Sequence, residues 1–273
     1  MNTQEKHNDD GSITVTTQDF RVEIERDYYG INPIEDYYDA TLYCVHRRYN
    51  LGHNNYTSRA DMFEEMHTDL KLDLPENAFD DDGYIQDDYY ELLDVADFEE
   101  ILQNNNVFYE KLYLMNHGVA LILTTSIDCR GGSAFIGFGV LAEESRKTIT
   151  KEQEALMYIN SFVSIYDKYL QGEVYALTLY NNENEIKDAC GGFYGAEHAI
   201  EGANEIIEQA QREFEKNVIN LSIEQLTKMT AAFLTTERLS EATKRVVNKK
   251  RFTTNYKYIQ AVLIELAESI DQE

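Results

Sequence analysis

EKLYLMNHG (110–118), VALILTTS (119–126) and AFIGFGVL (134–141) are three apolar runs, rich in β-branched and aromatic residues. His117-Gly118 and Cys129-Arg130-Gly131-Gly132 separate them with turn-forming chemistry, so the runs predict neighbouring strands of a sheet core. Leu156, Ile159, Val163, Tyr166 and Leu170 then recur at three- and four-residue intervals across 150–170, which predicts a helix whose apolar stripe covers that sheet. Working outward, VYALTLY (174–180) and EIKDACGGF (185–193) predict a hairpin across Asn181–Asn184, and 196–216 predicts a long acidic amphipathic helix. Toward the N-terminus, ITVTTQDFRVEIERDYY (13–29) alternates as a strand and ATLYCVHRRY (40–49) as its pairing partner, across a turn holding Pro33. Beyond Leu221 the pattern is helical, opening with Ser222 and Gln225 at capping-box spacing and breaking near Phe252 before a last helix from Tyr256 to Ile270. The expected fold is α+β: an antiparallel sheet with flanking helices, followed by an α-helical C-terminal subdomain. The expected divisions are a flexible tail at 1–12, an acidic α+β domain at 13–216 and the helical subdomain at 217–273.

Charge is the outlying property. The 273 residues hold 50 acids against 24 bases, a formal net charge of −26. Such a field repels nucleic acid and anionic lipid and speeds encounter with a cationic surface, so direct DNA binding is disfavoured. The acids are not spread evenly. Residues 61–100 carry sixteen acids and one base, Lys71, whereas 217–273 carry eight bases and seven acids. No run reaches the roughly 20 apolar residues of a membrane span, and the polar N-terminus lacks a signal core. Three widely spaced cysteines, Cys44, Cys129 and Cys190, suit a reducing compartment and argue against a disulfide framework or zinc site. A cytoplasmic location is expected, with no membrane partner.

Motifs for chemistry are sparse. There is no phosphate-binding loop, so no nucleotide cofactor is expected. Gly132-Ser133-Ala134-Phe135 resembles the start of a nucleophile elbow but has Phe135 where that motif needs glycine. Cys190, in an expected turn with His198 eight residues on, is a candidate thiolate; the small residues around it equally suit a tight turn. Asp80-Asp81-Asp82-Gly83-Tyr84-Ile85 has the look of a calcium loop, yet placing Gly83 at position six puts Ala78 and Tyr89 at the two essential ligand positions, so no EF-hand forms. Cys44, His46 and His53 are close enough in sequence to meet in space, and a structural role suits them better than a metal site. Within the acid run, 87–94 and 97–103 predict short helices, the second capped by Asp97 with Glu100 three residues on, burying Phe98, Ile101 and Leu102 and turning Glu99 and Glu100 outward.

The acid run is either a solvated face or a partner surface. Sixteen acids in forty residues, if helical at about 1.5 Å per residue, fall about one per 4 Å, near the charge spacing of a single DNA strand. Solubility needs a net charge of only about 2–8 for a small domain, and excess like charge destabilises the compact state. The candidate partner-binding residues are therefore Asp80, Asp81, Asp82, Asp87, Asp88, Glu91, Asp94, Asp97, Glu99 and Glu100. Tyrosine pairs at 28–29, 37–38 and 89–90, embedded among acids, add rigid amphipathic contact area. An alternative site is the basic patch Lys244, Arg245, Lys249, Lys250 and Arg251, suited to RNA or to self-association with the acidic domain as a homo-oligomer.

His46-Arg47-Arg48-Tyr49-Asn50-Leu51-Gly52, the apolar hairpin from Leu112 to Thr125, the YLQGEVYAL ending of 169–177 and Asp188-Ala189-Cys190-Gly191-Gly192-Phe193-Tyr194-Gly195 together resemble an uncharacterised family of phage and mobile-element proteins. The resemblance covers roughly residues 20–215; Ala189 and Gly191 stand where that family has serine and tryptophan, and the middle block is weaker. It implies a phage or prophage origin and no established activity. Very acidic phage proteins are often similar to DNA mimics that block restriction or CRISPR nucleases, whose channels are lined with lysine and arginine. By that analogy the expected function is non-catalytic inhibition of a host defence complex. The basic Arg47-Arg48 loop is expected to pair with the acidic face rather than to contact nucleic acid.

Overall fold

Strand formation follows the apolar runs in the computed structural model, which describes residues 3–36, 39–116, 121–125 and 133–231. In chain order the strands are β1 (Gln4–His7), β2 (Ile13–Thr16), β3 (Phe20–Arg26), β4 (Ala40–Cys44), β5 (Tyr109–Asn116), β6 (Leu121–Thr124), β7 (Ala134–Leu141), β8 (Val174–Asn181) and β9 (Ile186–Tyr194). The helices are α1 (Pro33–Asp36), α2 (Arg59–Leu70), α3 (Tyr89–Leu92), α4 (Val95–Asn104), α5 (Glu143–Arg146), α6 (Glu152–Leu170) and α7 (Ala196–Ala231), with a 3-10 turn at Glu76–Ala78. The α+β class stands. Two sheets form, β1-β2-β3-β8-β9 and β4-β7-β5-β6, and the chain divides into two compact units of interleaved segments.

One unit comprises 1–24, 177–189 and 200–273. Its strands β2 and β3 are the two halves of what alternation alone predicts as one strand. Thr17 interrupts them, its backbone N–H and hydroxyl both donating to the Phe20 carbonyl at 2.8 and 3.1 Å, so the chain turns back on itself. Ile13 pairs with Ile24 and Val15 with Val22, and these four side chains are buried. The expected flexible tail is corrected in part: Gln4–His7 pairs with β2 as a strand of four exposed residues, held by backbone bonds without any apolar pattern to announce it. Helix α7 runs unbroken through residue 217 and through Ser222, so no helix starts there as the capping-box spacing suggests. It buries Ala203 and Ile207 and sets Phe214 edge-on to Phe20 at 6.1 Å. Residues 232–273, the rest of the expected helical subdomain, lie outside the described residues.

The other unit comprises 25–176 and 190–199. Its four-stranded sheet is the core that the three runs predict, with β4 added beside β7. The expected pairing of 13–29 with 40–49 is thereby corrected: β4 ends at Cys44 and finds its partner about ninety residues along the chain. Helix α6 covers one face of this sheet with Ala155, Ile159, Phe162, Val163 and Tyr166, against Leu42, Leu112 and Ile136. Helices α2 and α4 cover the other with Phe63, Met66, Phe98 and Leu102, against Tyr43 and Phe138.

A slip in β7 makes this double coverage work. Opposite it, Leu112 pairs with Gly137 but Tyr113 pairs with Phe135, so Ile136 is an extra residue in the ladder. Ile136 therefore faces the α6 layer while Phe135 and Phe138 both face the α2 and α4 layer. Gly137 has φ 155°, and a Cβ there would lie 1.8 Å from the Tyr43 carbonyl oxygen. Gly137→Ala is expected to force β4 and β7 apart and to cost more than about 2 kcal/mol, read as a shift of the urea midpoint. Full retention of the wild-type midpoint would contradict this account of the bulge.

Candidate functional site

The ten predicted acids sit on the 80–83 turn, on α3 and the turn before it, and on α4 and its N-cap, and the structure sorts them by what each carboxylate already does. Asp80 accepts from the backbone N–H groups of Asp82 and Tyr84 at 3.0 and 2.9 Å, closing a tight turn with Gly83 at φ 84°. Asp94, not Asp97, is the N-cap of α4: it accepts from the N–H groups of Ala96 and Asp97 at 2.7 and 2.9 Å, while Asp97 accepts back from the Asp94 N–H at 2.9 Å. These bonds from the two N–H groups hold the Asp94 carboxyl below its usual range. Glu99 does not turn outward as a free acid. It is half-buried, pairs with Lys111 at 3.1 Å and accepts from the Tyr109 hydroxyl at 3.1 Å.

Asp81, Asp82, Asp87, Asp88, Glu91 and Glu100 remain. All six are exposed, and their carboxylates make no hydrogen bond or ion pair among the described residues. Phe98, Ile101 and Leu102 of α4 are buried as expected. Phe98 stacks on Phe63 with ring centroids 4.1 Å apart and planes 9° apart, and both lie within 6.4 Å of the Phe138 ring from the sheet. The acidic helices are thus bolted to the sheet by aromatic packing.

Between α3, α4 and the stretch preceding the 3-10 turn runs an open groove of about 650 Å³. Asp73, Asp97 and Glu100 edge it, and Leu74, Leu92, Leu93 and Ile101 line it with apolar surface. Tyr89 also lines it, and burial, with the nearby Asp97 charge, pushes its hydroxyl above the usual range. Asp73 and Leu92 were not singled out from sequence. The signal for Leu92 is that α3 is a single turn, which buries Tyr89 and Tyr90 and leaves Leu92 73 % exposed.

The other candidates fall to structural roles or outside the described residues. In the His46–Gly52 motif, His46 accepts from the N–H groups of Arg48 and Tyr49 and stacks on the Tyr49 ring at 4.9 Å. Gly52, at φ 76°, donates its N–H to the Tyr166 hydroxyl, and His53 accepts from the Leu42 N–H at 3.0 Å. Burial pushes the Cys44 thiol up to about 12 and holds the His53 imidazole below its usual range. Cys44, His46 and His53 therefore shape a loop, and among the described residues no group of three His, Cys, Asp or Glu is placed to hold a metal ion. Arg47 and Arg48 are exposed and make no ion pair among the described residues, so the expected pairing with the acidic face is not seen there. Cys190 lies within strand β9 rather than in a turn, and the His198 ring packs edge-on against Phe193 at 5.6 Å. The basic patch Lys244, Arg245, Lys249, Lys250 and Arg251 lies outside the described residues. Among the described residues no helix is long and apolar enough to cross a membrane.

No family model, curated protein or solved structure matches this chain.

Because the folded Asp94 carboxyl is depressed, the stability it adds is present above the unfolded value near 3.8 and is lost as pH falls through the lower folded value. Asp94→Ala is expected to lower Tm at neutral pH, and Asp94→Asn to lower it less. The gap between wild type and Asp94→Asn should close on acidification, in melts followed by circular dichroism down to about pH 2. A gap constant with pH would remove the capping role.

Proposed function

We propose that this protein is a phage-encoded inhibitor of a host nucleic-acid-targeting defence system, of the anti-CRISPR or antirestriction kind, acting in the cytoplasm of the infected or lysogenic host. It works without catalysis, by occupying the basic surface that its target uses for nucleic acid. The observation that supports this reading most directly is the set of unpartnered carboxylates, Asp81, Asp82, Asp87, Asp88, Glu91 and Glu100. They are exposed on a turn tied by Asp80, on and just before α3 with its buried Tyr89 and Tyr90, and on α4 held by Phe63, Phe98 and Phe138. Holding like charges at fixed positions costs stability, and a solvated face made for solubility alone needs neither the density nor the rigid mounting. The resemblance to phage proteins and the analogy to acidic mimics point to the same class of partner.

Asp80, Asp94, Asp97 and Glu99 belong to the face but serve first to build it, so they are poor positions for a test. Simultaneous reversal of Asp81, Asp82, Asp87 and Asp88 to lysine is the informative variant. In a DNA-cleavage assay with a susceptible restriction or CRISPR nuclease, it should weaken inhibition by about tenfold or more. Reversal of Glu201, Glu205, Glu208 and Glu213 on α7, an equal change in net charge, should do much less. Wild-type inhibition should also fade toward about 0.5 M salt, where screening is nearly complete. Inhibition undiminished at that salt, or equal losses from both sets, would sink the reading.

A further inference from the structure

We infer that the groove edged by Asp73, Asp97 and Glu100 is a socket for a basic, partly apolar peptide segment of the protein partner, one that places an arginine or lysine beside a leucine-like side chain. The inference rests on the acidic face being a partner surface, and it narrows that surface from a field of charge to a place where a particular side chain docks.

The groove's volume, about 650 Å³, falls within the roughly 300–1,000 Å³ usual for binding clefts. Its lining is of two kinds. Leu92, Leu93 and Ile101 offer apolar surface, and Leu92 is 73 % exposed, a leucine on a one-turn helix with nothing among the described residues packed over most of it. Asp73 and Glu100 stand at the edge with carboxylates that have no partner among the described residues, and Asp97 spends one oxygen on the Asp94 N–H. No lysine, arginine or histidine lines the cleft. Lys111 is engaged by Glu99.

This combination selects its occupant by charge. A nucleic-acid strand or other anion is repelled by three carboxylates. A purely apolar group would strip water from those carboxylates with no compensating bond. A hydrated cation would leave the leucines wet. Lysine and arginine alone combine an aliphatic stem that lies along apolar surface with a charged head that reaches a carboxylate. Arginine can bond a carboxylate through two parallel N–H groups. Leu92, a lining residue left largely exposed, adds demand for an apolar neighbour on the same segment, which a peptide supplies and a small polyamine does not. Nucleic-acid-binding proteins present such arginines and lysines on the surfaces they turn to phosphate.

The test uses the full-length protein and two fluorescein-labelled octapeptides, one built of arginine and leucine and one of arginine and serine, with anisotropy as the readout and spermidine as competitor. The leucine-containing peptide should bind about tenfold more tightly than its serine counterpart, and Leu92→Ser should erase that difference. Asp73→Asn with Glu100→Gln should weaken the arginine–leucine peptide by about fivefold, whereas Asp81→Asn with Asp82→Asn, an equal loss of charge outside the groove, should stay within about twofold. All these positions are exposed, and unchanged melting curves verify folding. Equal binding of both peptides, displacement by spermidine as effective as by unlabelled peptide, or equal losses from the two double variants would overturn the socket. The same variants separate this inference from the broader reading. If the groove substitutions leave nuclease inhibition intact while reversal of Asp81, Asp82, Asp87 and Asp88 abolishes it, the groove fails and the inhibitory face stands. If the leucine dependence holds but neither set alters inhibition, the inhibitory reading fails and the socket stands.

Discussion

Phe138 is the constraint on which the acidic side of this protein depends. Its ring meets Phe63, Phe98, Tyr109 and Phe135 within 6.4 Å, so one position on β7 ties α2, α4 and the neighbouring strand β5 together at once. Buried aromatic rings contribute both area and preferred mutual geometry, with a pair worth about 0.5–1.5 kcal/mol beyond burial. That cohesion is what opposes the repulsion among sixteen acids in forty residues. Phe138 reaches the correct face only because Ile136 is an extra residue in the ladder, and the extra residue is tolerated only because Gly137 has no side chain to meet the Tyr43 carbonyl.

The same forty residues show two uses of acid. Asp61 and Asp94 close the N-termini of α2 and α4 through capping boxes, Asp80 ties a turn, and Asp69 accepts the buried Tyr43 hydroxyl at 2.8 Å. Here a carboxylate replaces the water that exposed N–H groups would otherwise need, at a helix end where negative charge is also favoured. A second group has no such bond. The acid run is therefore less a uniform stripe than a scaffold built by some of its carboxylates for the display of others, and its apolar counterpart is Leu92, left out on a turn too short to bury it.

Much of this was legible in the chain. The runs at 110–141 are legible because a sheet covered on both faces leaves continuous apolar strands. The stripe of α6 and the buried face of α4 follow from periodicity, because the two sides of each helix meet strongly contrasting environments. Where contrast is weak, reading failed for physical reasons. Asp94 and Asp97 each stand three residues before another acid, so spacing permits either as cap; burial of Phe98, Ile101 and Leu102 suits both, and only the position of Val95 at the helix start decides. Thr17-Gln18-Asp19 continues an alternating pattern while the backbone turns, and Gln4–His7 forms a strand with no apolar residue at all. The partner of β4 was missed because pairing across about ninety residues leaves no local trace.

The candidate site was legible as composition and not as geometry. Counting acids locates 61–100, but Glu99 and Glu100 are adjacent and alike in sequence, while Lys111, eleven or more residues away, neutralises the first and leaves the second free. Asp73 shows the converse: it belongs to the run but not to the ten acids expected at the partner face, and it reaches the groove because Asn105 bonds its backbone at both ends, accepting from its N–H at 2.7 Å and donating to its carbonyl at 2.9 Å. What turns a charged surface into a selective one is the mixture at that groove. Charge alone attracts any cation and weakens steeply with salt, whereas charge set beside unburied leucine distinguishes a side chain with an aliphatic stem from one without.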